Sequence, residues 1–254
     1  MKLTLAAASV KKRRRTKMYN KNDPETIRSL FNSIAKQYDR TNAVLSFQMH
    51  KRWNQALIQE ALVPANPSVF LDLCCGTGAI AFEYLKSARH PKKAYMLDFS
   101  EGMLEHARYR AKELAIVHHE ITYLQADAQH IPMMTESVEC ATIAYGIRNV
   151  KHPSKCIQEV YRVLAAGGSF GILELTQPTN PLLRFGHRFY LRTMLPLIGK
   201  LLTSNRDAYR YLCNSINTFI PADELERLMR SAGFRDIHRH AFLGGIATLL
   251  VGKK

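Results

Sequence analysis

Leu71-Asp72-Leu73-Cys74-Cys75-Gly76-Thr77-Gly78 is the stretch that decides the fold of this 254-residue chain. An apolar run over 69–73 leads directly into the glycines, and a helical pattern follows over about 80–87. Glycine lets the backbone turn sharply and approach a ligand closely, and a helix start offers N–H groups without helical partners. The stretch therefore predicts a strand, a tight turn and a helix that hold a cofactor through Asp72, Gly76, Thr77 and Gly78. For Asp72 a second interpretation stays open, in which it anchors the amides of the loop.

Outward from this stretch, short strands and helices alternate. Such alternation predicts an α/β fold with a Rossmann-like, doubly wound parallel sheet. The next strands are expected at 94–97, 121–124, 138–144 and 170–175, with the last one entered through a turn at Gly167-Gly168. Helices are expected at 101–114, 153–164 and 223–233, and a C-terminal antiparallel hairpin at 234–242 and 246–251.

The chain is expected to form one domain over 23–254, preceded by a basic tail over 1–22. The tail carries eight Lys and Arg residues and no acid, which predicts disorder. A solvated tail without a target, an attraction to nucleic acid or to an anionic membrane, and an organelle transit peptide all fit it. Within the domain, 23–67 is expected to form N-terminal helices, the second over about 46–62 and ended by Pro64 and Pro67, and 178–220 a helical insertion on the substrate side.

Asp98 stands at the end of the predicted second strand, twenty residues after the glycine loop. A carboxylate there can accept hydrogen bonds from both ribose hydroxyls of a nucleoside. The dinucleotide fingerprint needs one more glycine, but the chain continues Ala79-Ile80-Ala81. These residues favour an adenosyl ligand without phosphates over a dinucleotide.

The adenine is expected near three further residues. Met103 lies one turn into the next helix, where it can pack on the adenine face, and core packing is the alternative. Asp127 and Ala128 follow the third strand, where a carboxylate can accept a hydrogen bond from the adenine amino group. A cap of a turn is the alternative role of Asp127.

Several blocks of the chain resemble one family. They are 72–78, 96–104, Gly146-Ile147-Arg148-Asn149-Val150 and 207–216. Together they are similar to the class I methyltransferases that C-methylate isoprenoid quinones in menaquinone and ubiquinone biosynthesis, over about 26–253. The resemblance implies S-adenosylmethionine as cofactor and an isoprenoid quinol as substrate. Methylation of a demethylmenaquinol, the last step of menaquinone biosynthesis, is the expected reaction, and a ubiquinone precursor is the alternative acceptor. Ala79 departs from the family, which usually has an acid there.

The resemblance and the location past the fourth strand suggest the catalytic groups. Arg148 is expected to stabilise the oxyanion of the quinol, because a guanidinium stays charged and offers rigid donors. Asn149 is expected to orient a water or hydroxyl, and Tyr38 to join them from the N-terminal helix. The alternatives are an ion-pair anchor for Arg148 and core packing for Tyr38. Tyr209 and Tyr211 are expected to shape the quinone pocket.

The segment 181–202 is apolar, free of acids and rich in basic residues. It fits either a cover over a lipophilic substrate, with its arginines at lipid head groups, or two ordinary helices on the sheet. We expect a cytoplasmic protein, with peripheral contact to an anionic inner membrane surface as a further expectation. Neither a monomer nor a homo-oligomer is excluded.

Two other function classes remain as alternatives. An RNA methyltransferase recruited by the basic tail would be expected to carry Asn/Asp-Pro-Pro-Tyr/Phe after the fourth strand, where this chain reads Ala144-Tyr145-Gly146-Ile147. Nucleic acid is therefore not the expected partner. A regulatory protein that binds the cofactor or a lipid without catalysis is disfavoured by Arg148 and Asn149. The five cysteines show no zinc or redox spacing, and no metal is expected.

Overall fold

The computed structural model describes residues 23–35, 43–44, 46–194 and 206–254, and a single seven-stranded sheet organises them. Its order is β3-β2-β1-β4-β5-β7-β6. β1 to β5 pair in parallel, whereas β7 is antiparallel to both β5 and β6. The strands are β1 (Val69–Leu73), β2 (Lys93–Asp98), β3 (Glu120–Gln125), β4 (Val138–Ala144), β5 (Leu164–Leu175), β6 (Arg235–Phe242) and β7 (Ala247–Lys253).

Helices follow the strands as the sequence predicts. They are α1 (Pro24–Ile34), α2 (Met49–Leu57), α3 (Ala79–Ser87), α4 (Glu101–Glu113), α5 (Pro153–Val163), α6 (Pro181–Phe189), α7 (Arg206–Thr218) and α8 (Ala222–Ala232). A 3-10 turn covers Ile147–Asn149, after β4.

Both faces of the sheet are covered, which confirms the doubly wound class. On one face, α5 and α8 contribute Ile157 and Met229 to the buried cluster that also contains Leu71 of β1. On the other, α2 and α3 pack Leu57 and Phe82 against the opposite side of the strands. Since most of β1 and β4 is buried on both faces, apolar residues dominate these strands without a strict alternation, and Asp72, Glu139 and Thr142 are their polar members.

Two predicted boundaries are wrong. β5 begins at Leu164 rather than near residue 170, because the pair Gly167-Gly168 forms an irregularity within the strand instead of a turn before it. The positive φ of Gly167, +75°, accommodates this shift in register. The helix after Met49 continues past Pro64 through a π-helical turn (Ile58–Leu62) and one further turn (Val63–Ala65). Pro64 lies in the first turn of this last segment, where a missing N–H is tolerated.

Some predictions lie outside the described residues. They concern the tail 1–22, Tyr38 and the part of the 181–202 segment beyond residue 194. The part of that segment that the structure describes is α6 followed by a π-helical turn (Tyr190–Met194). Among the described residues, no helix is long and apolar enough to cross a membrane.

Candidate active site

The carboxyl ends of β1 and β4 form the centre of the candidate site. Strand order reverses between these neighbours, and such a switch point opens a crevice for ligands. Cys74 and Tyr145, the residues after the two strands, both have left-handed backbones, with φ of +49° and +57°. A Cβ on Gly146 would lie 2.3 Å from the Cβ of Cys74, so the two loops approach too closely for a side chain there.

The glycine loop is fixed by its neighbours. The amide of Gly76 donates to Asp98 Oδ2 at 2.8 Å. Gly78 caps α3 with φ of +83°, and a Cβ there would lie 2.3 Å from the ring of Phe82. Arg110 of α4 donates to both the carbonyl and the hydroxyl of Thr77, at 2.8 and 3.1 Å. The loop therefore depends on glycine for its conformation as well as for ligand access.

Two buried carboxylates flank this loop. Burial raises the pKa of Asp72 to about 7, although the Thr142 hydroxyl donates to its Oδ1 at 2.8 Å. Its Oδ2 is buried and has no hydrogen-bond partner. Burial also raises the pKa of Asp98 to about 6, against the hydrogen bonds from the amides of Ser100 and Gly76. A buried carboxylate oxygen in need of a donor fits a ligand with amino and hydroxyl groups, as S-adenosylmethionine has.

Asp98 opens onto a cavity that we call the cofactor crevice. The crevice is also bordered by four other residues that the sequence predicts to bind the cofactor, namely Gly76, Met103, Asp127 and Ala128. Asp127 also accepts the amide of the residue two positions on, at 2.9 Å, so it caps its own turn while it borders the crevice. The sequence did not indicate that α1 closes the crevice, with Ile27, Arg28 and Phe31 in its wall.

A second cavity, the polar cavity, continues from the crevice on the other side of the glycine loop. Asp72 and Thr77 border this cavity rather than the crevice. Ala79, where the similar family usually has an acid, also borders it. Glu83, one turn later on the same face of α3, lies in the same wall and supplies a carboxylate there.

A third cavity, of about 450 Å³, is mainly apolar and lies against α2, α6 and α7. We call it the apolar cavity. Trp53, Leu175, Leu191 and Ile216 are among its lining residues. Of the described lining residues, none is an acid, and Arg148 is the only lysine or arginine.

Arg148 is held by a buried ion pair with Glu174, a partner that the sequence analysis did not identify. Its Nη1 donates to Glu174 Oε1 and to the carbonyl of Tyr145, both at 2.5 Å, and its amide donates to Glu174 Oε2 at 3.2 Å. Burial raises the pKa of Glu174, and the positive charge of Arg148 opposes this rise. The signal was a single acid within the apolar strand Ile172-Leu173-Glu174-Leu175. Arg148 is thus an ion-pair anchor, and it also borders the apolar cavity.

Asn149 and Tyr211 are brought together. The Tyr211 hydroxyl donates to Asn149 Oδ1 at 2.9 Å, and Asn149 borders the cofactor crevice. Burial raises the pKa of Tyr211 to about 12, so its phenol stays protonated at neutral pH. Tyr211 packs against Ile27 and Leu30 of α1 and does not line the apolar cavity. Tyr209 lies on the same helix, α7.

His50 is another residue that the sequence analysis missed. It borders both the polar and the apolar cavity, and its Nδ1 lies 2.7 Å from the Ser46 hydroxyl. Only its location in the fold, beside the ends of strands more than 20 residues away, singles it out from the other histidines.

Comparison with known sequences identifies close relatives. The profile of the ubiE/COQ5 methyltransferase family matches residues 17–254. The demethylmenaquinone methyltransferase of Protochlamydia amoebophila (strain UWE25) is 52% identical over 236 residues, which cover 93% of this chain and 98% of that protein. The demethylmenaquinone methyltransferase of Chlamydia felis (strain Fe/C-56) is 36% identical and covers 92% and 97% of the two chains.

Solved structures share the fold. A SAM-dependent methyltransferase from Thermotoga maritima superimposes with a TM-score of 0.61 at 20% identity, covering 89% of this chain and 99% of that one. A SAM-dependent methyltransferase from Aquifex aeolicus has a TM-score of 0.60 at 16% identity, with coverages of 87% and 97%. These structures support the Rossmann-like methyltransferase fold.

Proposed function

This chain belongs to the ubiE/COQ5 methyltransferase family, and we propose that it transfers a methyl group from S-adenosylmethionine to a ring carbon of demethylmenaquinol. Its relatives named demethylmenaquinone methyltransferase, one of them 52% identical, support this acceptor. The observation that carries the proposal is the apolar cavity, which adjoins the cofactor crevice and has one arginine in its wall. A cavity of this size and character suits the ring and first prenyl units of a lipophilic quinol.

The residues around the crevice fit the cofactor. We propose that Asp98 accepts hydrogen bonds from the ribose hydroxyls, that Met103 packs on the adenine, and that Asp127 and Ala128 border the adenine edge, because all four residues border the crevice. Asp72, with its buried oxygen, borders the polar cavity, and we propose that the amino acid end of the cofactor binds there. When bound, S-adenosylmethionine supplies an electrophilic methyl, whose S–CH₃ bond breaks as the ring carbon forms its new C–CH₃ bond and then loses its proton.

Arg148 is proposed to stabilise the negative charge of the deprotonated quinol. A buried guanidinium held by Glu174 is preorganised, and fixed donors in a site shielded from water act strongly on a developing charge. We propose that Glu174 orients the Arg148 guanidinium, just as it accepts the hydrogen bond from the Arg148 amide. Asn149, held by Tyr211, is proposed to orient a water or hydroxyl beside it. Tyr38 remains a proposed member of this group from the resemblance.

His50 is proposed to accept the ring proton after methylation. It is an imidazole that borders both the apolar and the polar cavity, and histidine exchanges protons near neutral pH. Replacing His50 with glutamine should lower kcat, because the glutamine amide cannot accept the ring proton. A His50→Gln enzyme with the wild-type kcat would exclude His50 as the base.

An assay with methyl-labelled S-adenosylmethionine tests the function. Demethylmenaquinol, a demethylated ubiquinol precursor and bulk RNA are offered separately to the full chain. We expect demethylmenaquinol to be labelled with the highest kcat/KM of the three acceptors. Preferential labelling of the ubiquinol precursor would show that the acceptor is a benzoquinol rather than demethylmenaquinol. Label in RNA alone would refute a quinol methyltransferase.

We further propose that α6 docks on an anionic membrane surface. Leu182 and Phe185 of α6 are 78% and 72% exposed. Phe47, which lines the apolar cavity together with Leu182, is 71% exposed. Arg184 and Arg188 lie on the same helix, where each basic residue near an anionic surface contributes roughly 1 kcal/mol. Apolar side chains around the mouth of a cavity for a lipid substrate, with arginines beside them, suit the head-group boundary of a bilayer.

Vesicle co-sedimentation tests this docking. The full chain is mixed with vesicles of phosphatidylglycerol and phosphatidylcholine, or of phosphatidylcholine alone. Leu182→Ser/Phe185→Ser should bind the anionic vesicles more weakly than wild type. Val117→Ser is the matched control, because Val117 is 75% exposed but lies next to β3 at the opposite edge of the sheet. Equal binding by the α6 variant and the control would contradict docking through α6.

A further inference from the structure

Tyr145 occupies a unique position among the described residues. It is the only one that borders the cofactor crevice, the polar cavity and the apolar cavity together, and the only one shared by the crevice and the apolar cavity. A ligand in the crevice and a ligand in the apolar cavity would therefore both lie beside Tyr145.

The backbone fixes where Tyr145 stands. Its amide donates to the Leu173 carbonyl at 2.8 Å, which ties it to β5. The next residue, Gly146, is pressed against Cys74 of the neighbouring loop. Tyr145 itself has φ of +57°, a conformation that is unfavourable for a residue with a Cβ. Strained backbones of this kind are retained where the surrounding structure enforces them, commonly at functional sites.

The side chain is fixed at its other end. The Tyr145 hydroxyl donates to Asn54 Oδ1 at 3.0 Å, and Asn54 is a buried residue of α2. Strand and helix thus hold the ring from both ends between the cavities. The Tyr145 carbonyl also accepts from Arg148 and from Asn149, so the backbone that carries the ring carries the proposed oxyanion group as well.

We propose that Tyr145 is the positioning residue that sets the alignment of the methyl donor with the quinol ring. Its aromatic ring would form the contact surface shared by the two reactants, with Asn54 holding the ring at its angle. An aromatic face suits both partners, since it attracts a cationic donor and packs on a planar ring. This inference rests on the proposed function, because it needs a quinol in the apolar cavity.

Tyr145→Phe and Tyr145→Leu distinguish the contribution of the hydroxyl to kcat from that of the aromatic ring. Tyr145→Phe loses one neutral hydrogen bond and should lower kcat about 2- to 10-fold. Tyr145→Leu loses the ring that aligns the reactants and should lower kcat by about 100-fold. Binding of S-adenosylhomocysteine, measured by calorimetry, should fall much less than kcat in both, because Asp98 and the glycine loop are intact. Tyr109→Leu, on the exposed surface of α4, is the matched control and should keep the wild-type kcat.

A double-mutant cycle tests the link to α2. Asn54→Leu should lower kcat by the same factor as Tyr145→Phe, and the double variant should lower it no further. The inference would be overturned if the double variant lost kcat by the product of the two single factors. It would also be overturned by a Tyr145→Leu enzyme with wild-type kcat, or by a loss of kcat no larger than the loss of S-adenosylhomocysteine affinity. A wild-type chain that methylates no quinol would instead refute the proposed function.

Discussion

The buried pair of Arg148 and Glu174 gives the sharpest prediction about stability and catalysis. Their side chains are 5% and 0% exposed, so water cannot screen either charge. Glu174→Gln leaves the Arg148 guanidinium without a negative partner, and Arg148→Met leaves the Glu174 carboxylate without a positive partner. Removing one partner of a buried pair costs about 3–5 kcal/mol. For a chain of this size, that corresponds to a fall in Tm of roughly 6–20 °C.

The double variant Arg148→Met/Glu174→Gln separates the two roles of the arginine. With both charges removed, most of the lost stability should return, because well-packed neutral groups replace buried ion pairs at little cost. Turnover should not return. Loss of a preorganised donor to an oxyanion lowers kcat by about 10²–10³-fold. Cofactor affinity should stay near the wild-type value, since the pair does not line the cofactor crevice.

Thermal unfolding, calorimetry and the labelled-methyl assay give the three readouts. The control is Arg230→Met/Glu226→Gln on α8, an ion pair with side chains 55% and 22% exposed. Its single variants should each cost no more than about 1 kcal/mol, as surface pairs do. A double variant at Arg148 and Glu174 that is stable and turns over within tenfold of wild type would refute the role of Arg148 at the oxyanion.

The remaining predictions concern three separate residues. Tyr211→Phe removes the 2.9 Å hydrogen bond to Asn149 and should lower kcat about 2- to 10-fold without changing cofactor affinity; an unchanged kcat would contradict the proposed role of this pair. Gly78→Ala should lower Tm more than Gly167→Ala, because both have positive φ but only Gly78 has a ring atom 2.3 Å from an added Cβ; equal losses would refute the clash. Asp72 has a pKa of about 7 in the fold against 3.8 ordinarily, so the folded protein holds a proton that the unfolded chain has released between about pH 4 and 7. Stability therefore falls as pH rises through this window, and Asp72→Asn should raise Tm at pH 8 but not at pH 4; the same change at both would contradict the raised pKa.

Residues close in sequence to a strand end could be predicted from the sequence. Gly76 and Asp98 follow adjacent strands, and parallel pairing brings them to a 2.8 Å hydrogen bond. Local spacing also indicated Met103 and Asp127 in the crevice wall, because Met103 lies five residues after the end of β2 and Asp127 two residues after the end of β3. The periodic alternation of strands and helices was enough to predict the doubly wound sheet.

Contacts between distant segments could not be read from the sequence. Glu174 meets Arg148 because β5 pairs with β4, and the acid of the pair lies 26 residues from the arginine. The closure of the crevice by α1 and the position of Tyr145 at three cavities depend on how helices pack across the sheet. The expectation that Tyr211 shapes the quinone pocket stays a prediction, and its contact with Asn149, set by the packing of α7 on α1, was not visible in the sequence.

The fate of a deuterated methyl group tests the central claim most directly. The chain is incubated with S-adenosylmethionine carrying a CD₃ group and with demethylmenaquinol kept reduced, and the products are analysed by mass spectrometry and NMR. We predict one intact CD₃ on the quinol ring carbon for each S-adenosylhomocysteine formed. A CD₃ on a quinol oxygen, or S-adenosylhomocysteine formed without labelled quinol, would contradict a C-methyltransferase.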